Sequence, residues 1–166
     1  MLERKILGVR SVPGGGAKMK QMLGWLGVIM ALVLSGVTGM AQESDIVVQV
    51  LDGKNGKPIA NNHLLIFTGV SVEDVRAHKN HIEARTDAMG TALLSVDVRS
   101  TSRIQVWVDW HVLCQEPLDS KTYSVEEILK GGLNTSNSCG SIEQPLSPKR
   151  LVVFARPAHF WEKMRQ

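Results

Sequence analysis

The chain is poor in several things that would announce a chemistry. It has two cysteines, one tyrosine and three phenylalanines. It contains no G-x-S-x-G sequence, no internal repeat and no low-complexity tract. The missing G-x-S-x-G removes the arrangement in which a strand-to-helix turn exposes a serine nucleophile. Two cysteines allow one disulfide and no more. Charge is also absent over a long stretch: residues 21 to 42, QMLGWLGVIMALVLSGVTGMAQ, carry no ionised side chain.

That uncharged stretch follows Arg4, Lys5, Arg10, Lys18 and Lys20, with Glu3 as the single acid. A basic start, an apolar run from Leu23 to Val37 and a small-residue ending form the pattern of a secretory signal. Gly39 and Ala41 occupy the −3 and −1 places of a cleavage before Gln42. Met19 and Met22 are alternative starts. The rival reading is an uncleaved anchor. A spanning helix needs about 20 apolar residues, and Gly24, Gly27, Gly36 and Gly39 dilute this one. The expectation is therefore a signal peptide over 1–41 and one domain over 42–166, periplasmic or secreted. The alternative is a domain tethered to the inner membrane by this segment, its only route to a membrane.

Removing the leader changes the charge balance. Five of the 19 Lys and Arg and one of the 16 Asp and Glu lie in it. The remainder holds 14 bases against 15 acids, a formal net charge of −1. No basic surface is left to suggest nucleic acid, and no run of like charge interrupts the domain. Cys114 and Cys139 both fall in the exported part, where an even count reads as a disulfide.

The hydrophobic pattern is that of strands. Ile46 to Leu51 is β-branched, with Ile46, Val48 and Val50 on one face. DGKNGKP (52–58) is turn chemistry. Strand signals follow at His63–Thr68, His81–Thr86, Thr91–Val98, Arg103–Asp109 and Arg150–Ala155. Asp87-Ala88-Met89-Gly90 has the residues of a type I turn, so 81–98 reads as a hairpin. VEDVRAH (72–78) allows one helical turn. Ser124 and Glu127 form a capping box, predicting a short helix to Lys130 stopped by Gly131 and Gly132. Pro157 opens a terminal helix whose Phe160, Trp161 and Met164 are expected to dock on the domain. The fold class is all-β: an antiparallel immunoglobulin-like or prealbumin-like sandwich with one short inserted helix and a short C-terminal helix.

VQVLDGKNGKPIANNHLLI, followed by RTDAMGTALLSV, resembles the carboxypeptidase regulatory-like (prealbumin-like) β-sandwich. The matching residues are Asp52, Gly56, Pro58, Ile59, Asn61, Thr86, Asp87, Gly90 and Ala92, over about 46–109. The resemblance implies a sandwich and an accessory or binding role, with these residues as scaffold. The later segments YSVEEILKGGLNTSNSCG and LVVFARPAHFWEKM are similar to small exported proteins of unknown function from soil bacteria. The Tyr-Arg-Gly-Ser ending of prealbumin-type hydrolases is absent, and the first strand has no Lys for a self-formed isopeptide bond.

Three constellations remain. His63, His78 and His81 are potential metal ligands, with Glu83 or His111 to complete a set; a catalytic zinc wants three ligands and an open position. Ordinary surface histidines are the plainer reading. Trp107, Trp110 and His111, in VWVDWH, offer an aromatic edge for a sugar or peptide; the plainer reading packs Trp107 under the terminal helix near Trp161. Asn134-Thr135-Ser136 matches a glycosylation acceptor. The leading expectation is a non-enzymatic envelope module that needs no cofactor and binds a partner protein or glycan. Its contact surfaces are expected at the concave edge, the 110–119 loop and the 120–142 segment. The competing expectations are a small metal-dependent hydrolase and a membrane-anchored structural subunit.

Overall fold

The structure, a computed structural model, describes residues 42–115 and 121–163. The signal segment and its cleavage point lie outside the described residues, as does the 116–119 part of the expected 110–119 contact loop. Among the described residues no helix is long and apolar enough to cross a membrane.

Nine strands and three short helices are described: β1 (Glu43–Asp52), β2 (His63–Gly69), α1 (Val72–Arg76), β3 (His81–Arg85), β4 (Thr91–Asp97), β5 (Arg103–Val108), β6 (His111–Leu113), β7 (Tyr123–Ser124), α2 (Val125–Gly131), β8 (Leu133–Asn134), β9 (Arg150–Pro157) and α3 (Phe160–Lys163). They form two packed sheets. One sheet has the order β4-β1-β9-β6, with β8 also on β9; the other has the order β3-β2-β5-β7.

The second sheet is antiparallel throughout. The first is not, which corrects the antiparallel expectation. β1 and β9 run parallel, with Val47 opposite Arg150 and Asp52 opposite Ala155. β8 is also parallel to β9. Alternation along one strand says which face is buried, not which neighbour it pairs with, and these partners lie about a hundred residues apart. The unbroken run Leu151–Ala155 was the available sign: it is buried on both faces, as a central strand with a parallel partner tends to be.

The 81–98 hairpin is also corrected. β3 pairs with β2 and β4 with β1, so the two strands belong to opposite sheets. The turn itself forms as expected. Asp87 Oδ1 accepts from the backbone N–H of Met89 and Thr91, both at 2.8 Å, and Oδ2 accepts from Thr91 Oγ1 at 2.6 Å. These bonds hold its carboxyl below the usual range. Gly90 has φ +70°, and a Cβ there would meet Val50 O at 2.6 Å. Thr86, buried, donates to Ile59 O and accepts from Asn62 N. The T-D-x-x-G segment is therefore a corner between sheets.

The main core lies between the sheets: Ile46, Val48 and Val50 from β1, Leu94 from β4 and Leu151 and Val153 from β9 meet Leu64, Ile66, Ile104 and Val106. A second, smaller cluster lies on the outer side of the mixed sheet. There Leu51, Val152 and Phe154 pack with Cys114, and Cys139 and Ile142 close over them. The Cys114–Cys139 disulfide is formed, its ends 25 positions apart in sequence. It joins the two segments that share the outer edge of β9. Cys114 N donates to Phe154 O, while Thr135 N donates to Val152 O and Thr135 Oγ1 accepts from Phe154 N. Gly53 lets this clip approach β1: a Cβ there would lie 2.7 Å from Cys114 Sγ.

The helices follow their caps. Ser71 Oγ accepts from Asp74 N at the start of α1, and Ser124 Oγ from Glu127 N at the start of α2. α2 ends at Gly132, which has φ +79°. In α3, Glu162 pairs with Arg156 through two bonds of 2.7 and 2.8 Å. Phe160 is 66% exposed; the side chain of Trp161 and all of Met164, also expected to dock, lie outside the described residues.

Candidate functional site

The outer side of the antiparallel sheet is where sequence-marked residues gather. On a strand every second side chain faces the same way. His63, Leu65 and Phe67 of β2 therefore share a face with His81, Glu83 and Arg85 of β3 and with Arg103, Gln105 and Trp107 of β5. The register sets three rows across it: Arg85–His63, then Glu83–Leu65–Trp107, then His81–Phe67–Gln105.

The aromatic part is built around Phe67. The His78 ring stacks on it at 4.1 Å and 24° between planes. Trp107 meets both rings edge-on, 5.3 Å from each centroid, and His81 stands 6.2 Å from Phe67, also edge-on. Edge-to-face and stacked pairs of this kind contribute about 0.5–1.5 kcal/mol each. They hold the indole in place while leaving it 48% exposed. The expected burial of Trp107 is thus corrected: the ring packs edge-on against Phe67 and His78 and stays half open. Phe67 itself is buried, because α1 and His78 lie over that end of the sheet.

The polar part adjoins it. His63 stands between two carboxylates, with Nε2 3.4 Å from Glu83 Oε2 and Nδ1 3.3 Å from Asp109 Oδ2. His81 Nε2 lies 3.8 Å from Glu83 Oε1. A carboxylate here only accepts, and an imidazole offers one or two N–H donors. The group thus presents donors and acceptors side by side, all partly open to water.

Three of the four non-glycine residues with positive φ among the described residues lie around this face, the fourth being Lys149 before β9. A bulky residue with positive φ is an outlier. His78 has φ +52° and Trp110 φ +59°; Asn61, beside β2, has φ +53°. Trp110 is 60% exposed and sits in the turn that carries the chain from β5 to β6, its carbonyl accepting from Ala158 N. Next to it, His111 Nδ1 lies 2.7 Å from Asp109 O and 3.1 Å from Asn62 Nδ2. Gln105 Oε1 and Asn62 Oδ1 are buried with no hydrogen-bond partner.

The structure thus brings His63, His81 and Glu83 together and places His78 on the aromatic side. Among the described residues no three His, Cys, Asp or Glu side chains are gathered closely enough to hold a metal ion. Glu83 and Asp109 were the residues least marked by sequence. Glu83 was marked only as a ligand that could complete a histidine set, and Asp109 only as the end of an alternating strand.

Two clefts lie elsewhere. One, of about 360 Å³, is lined by the 134–144 loop. Its amides are already committed: Asn134 Nδ2 donates to Gln144 O, and Asn137 Nδ2 to Gly53 O and Ile142 O. The bond from Asn134 Nδ2 also occupies the atom a glycan would need. The other, of about 640 Å³, includes Arg103, Glu126 and Lys130, and the last two pair with each other at 2.6 Å. Of the 121–142 segment, expected as a contact surface, β7 pairs with β5 and α2 packs into the main core, while 133–142 lie along the mixed sheet.

Comparison of the chain with protein-family models, with curated proteins and with solved structures finds no match.

Proposed function

We propose that residues 42–166 form a non-enzymatic binding module, exported to the bacterial cell envelope, which engages its partner through the outer side of the β3-β2-β5 sheet. One observation carries this reading. Trp107 is held from the sides by Phe67 and His78 yet keeps 48% of its surface open. An aromatic so fixed loses little freedom when a ligand covers it. The disulfide supports an oxidising compartment. The resemblance to carboxypeptidase regulatory-like sandwiches points the same way, towards an accessory role.

The test is positional. A photoreactive residue in place of Arg85, at the margin of this face, is expected to capture an envelope component in whole cells. The same residue in place of Leu93, which is exposed on the other sheet, is expected to capture none. Equal capture at both positions, or none at Arg85, would overturn the proposal. Elemental analysis separates it from the metal-dependent hydrolase built on His63, His78 or His81. Stoichiometric zinc in the purified protein would favour the hydrolase.

A further inference from the structure

We infer that the ligand of this face is a neutral saccharide chain of equatorially substituted pyranoses, lying across β3, β2 and β5 with one sugar ring on Trp107. The inference rests on the binding-module reading and names its ligand class.

Three observations select this chemistry. The first is the mixture of groups. A pyranose with equatorial substituents has an apolar face of axial C–H bonds and a rim of hydroxyls, each a donor and an acceptor. Trp107 offers the flat apolar counterpart. His63, His81, Glu83 and Asp109 beside it offer paired acceptors and donors within 3.3–3.8 Å of one another. Protein interfaces instead need a desolvated apolar centre with several anchors. Here Leu65 is half-buried and Phe67 is buried, so Trp107 is the one large apolar side chain among the three rows that stands exposed.

The second is charge. Glu83 and Asp109 are opposed on this face by Arg85 and by the imidazoles of His63 and His81. A polyanion would meet the two carboxylates and a polycation Arg85, whereas a neutral chain meets no such conflict.

The third is strain. His78 and Trp110 hold positive φ, a conformation that costs a bulky residue free energy and that clusters at ligand-contacting positions. His78 uses it to lay its ring on Phe67 and beside Trp107. The groups are spread over three neighbouring strands, which suits an extended chain over a single small molecule.

The experiment is calorimetric titration of the full exported chain with cellohexaose and with chitohexaose, each repeated with the W107A and E83Q/D109N variants. Folding of each variant is checked by thermal melting. Binding of at least one hexasaccharide is expected. W107A should weaken it by about tenfold or more, a loss of about 1.4 kcal/mol, and E83Q/D109N should weaken it with the indole intact. No heat from either sugar at millimolar concentration would overturn the inference. So would binding that both variants retain. The photocapture experiment distinguishes the two levels. Capture of protein at Arg85 with no saccharide binding would remove this inference and leave the binding module standing; no capture at all would remove both.

Discussion

The outer sides of the two sheets are treated differently. On the mixed sheet, Leu51, Val152 and Phe154 would face water if nothing followed β8. The 135–142 loop and the Cys114–Cys139 bond cover them, so β9 is buried on both faces. On the antiparallel sheet, α1 covers only the Phe67 end, and the rest carries His63, His81, Glu83 and Trp107 into solvent. Over β9 the cover is a stability device, while towards β4 the same side stays open at Asp45, Leu93 and Ser95. An open side adds little to folding and keeps polar and aromatic groups available. The difference is what makes the antiparallel side the candidate site. It can be attacked by asking what each side contributes.

The largest effect is expected at Phe154. Its ring is 2% exposed beneath the clip, and truncation leaves a cavity between strand and loop. F154A should lower unfolding stability by about 3–5 kcal/mol, read from urea midpoints at constant slope. A cost near that of a surface substitution would show that the loop does not seal this side, and the comparison would fail.

Next is the clip itself. Replacing Cys114 and Cys139 together by serine releases the loop between them, and the chain-entropy cost is about 3 kcal/mol. Protection of the Thr135 and Cys114 amides, which bond to the two carbonyls Val152 and Phe154, should fall before that of β2 or β5 amides in hydrogen exchange. Uniform loss over both sheets would mean that the disulfide supports the whole sandwich and not one side of it.

Tyr123 extends the closed region into the other sheet. Its hydroxyl donates to Gln115 Oε1 at 2.8 Å, next to Cys114, and the ring is buried. Burial raises its pKa from 10 to about 12, the bond to Gln115 opposing this in part. Above pH 10 the unfolded chain releases the phenolic proton while the folded chain keeps it. Stability is therefore full below pH 10 and falls as pH rises towards 12, by roughly 2–3 kcal/mol in all. Y123F should remove this alkaline slope. A slope that survives the substitution would assign it elsewhere.

The same contrast explains what the sequence could and could not disclose. Strands at 46–51, 63–68, 81–86, 91–98 and 103–109 are legible because one face of each meets a core and the alternation records it, and 150–155 is legible as an unbroken apolar run. β6, β7 and β8 are two or three residues long, too short to alternate. They exist because β5 and β9 have free backbone groups to offer. The turn at Asp87–Gly90 is legible from its residue types, but whether it returns a strand to its own sheet or carries it to the other depends on partners far away. The disulfide is legible from count and compartment alone. At the candidate site, the outward positions of Trp107 and Glu83 follow from alternation. The stack of His78 on Phe67 does not, since it needs a positive φ that no propensity assigns to histidine.

That stack supplies the smallest and sharpest comparison. H78G should relieve the strain of φ +52°, which for a non-glycine residue is of order 1–3 kcal/mol. It also removes the ring that lies 4.1 Å from Phe67 and 5.3 Å from Trp107, contacts contributing about 0.5–1.5 kcal/mol each. The two effects oppose each other and are of the same size, so the melting midpoint should move little. The near-ultraviolet signal of Trp107 should nonetheless broaden, because its edge-on neighbour is gone, and saccharide binding should weaken with it. A side of the molecule maintained for folding would show the reverse: a shifted midpoint and an unchanged indole.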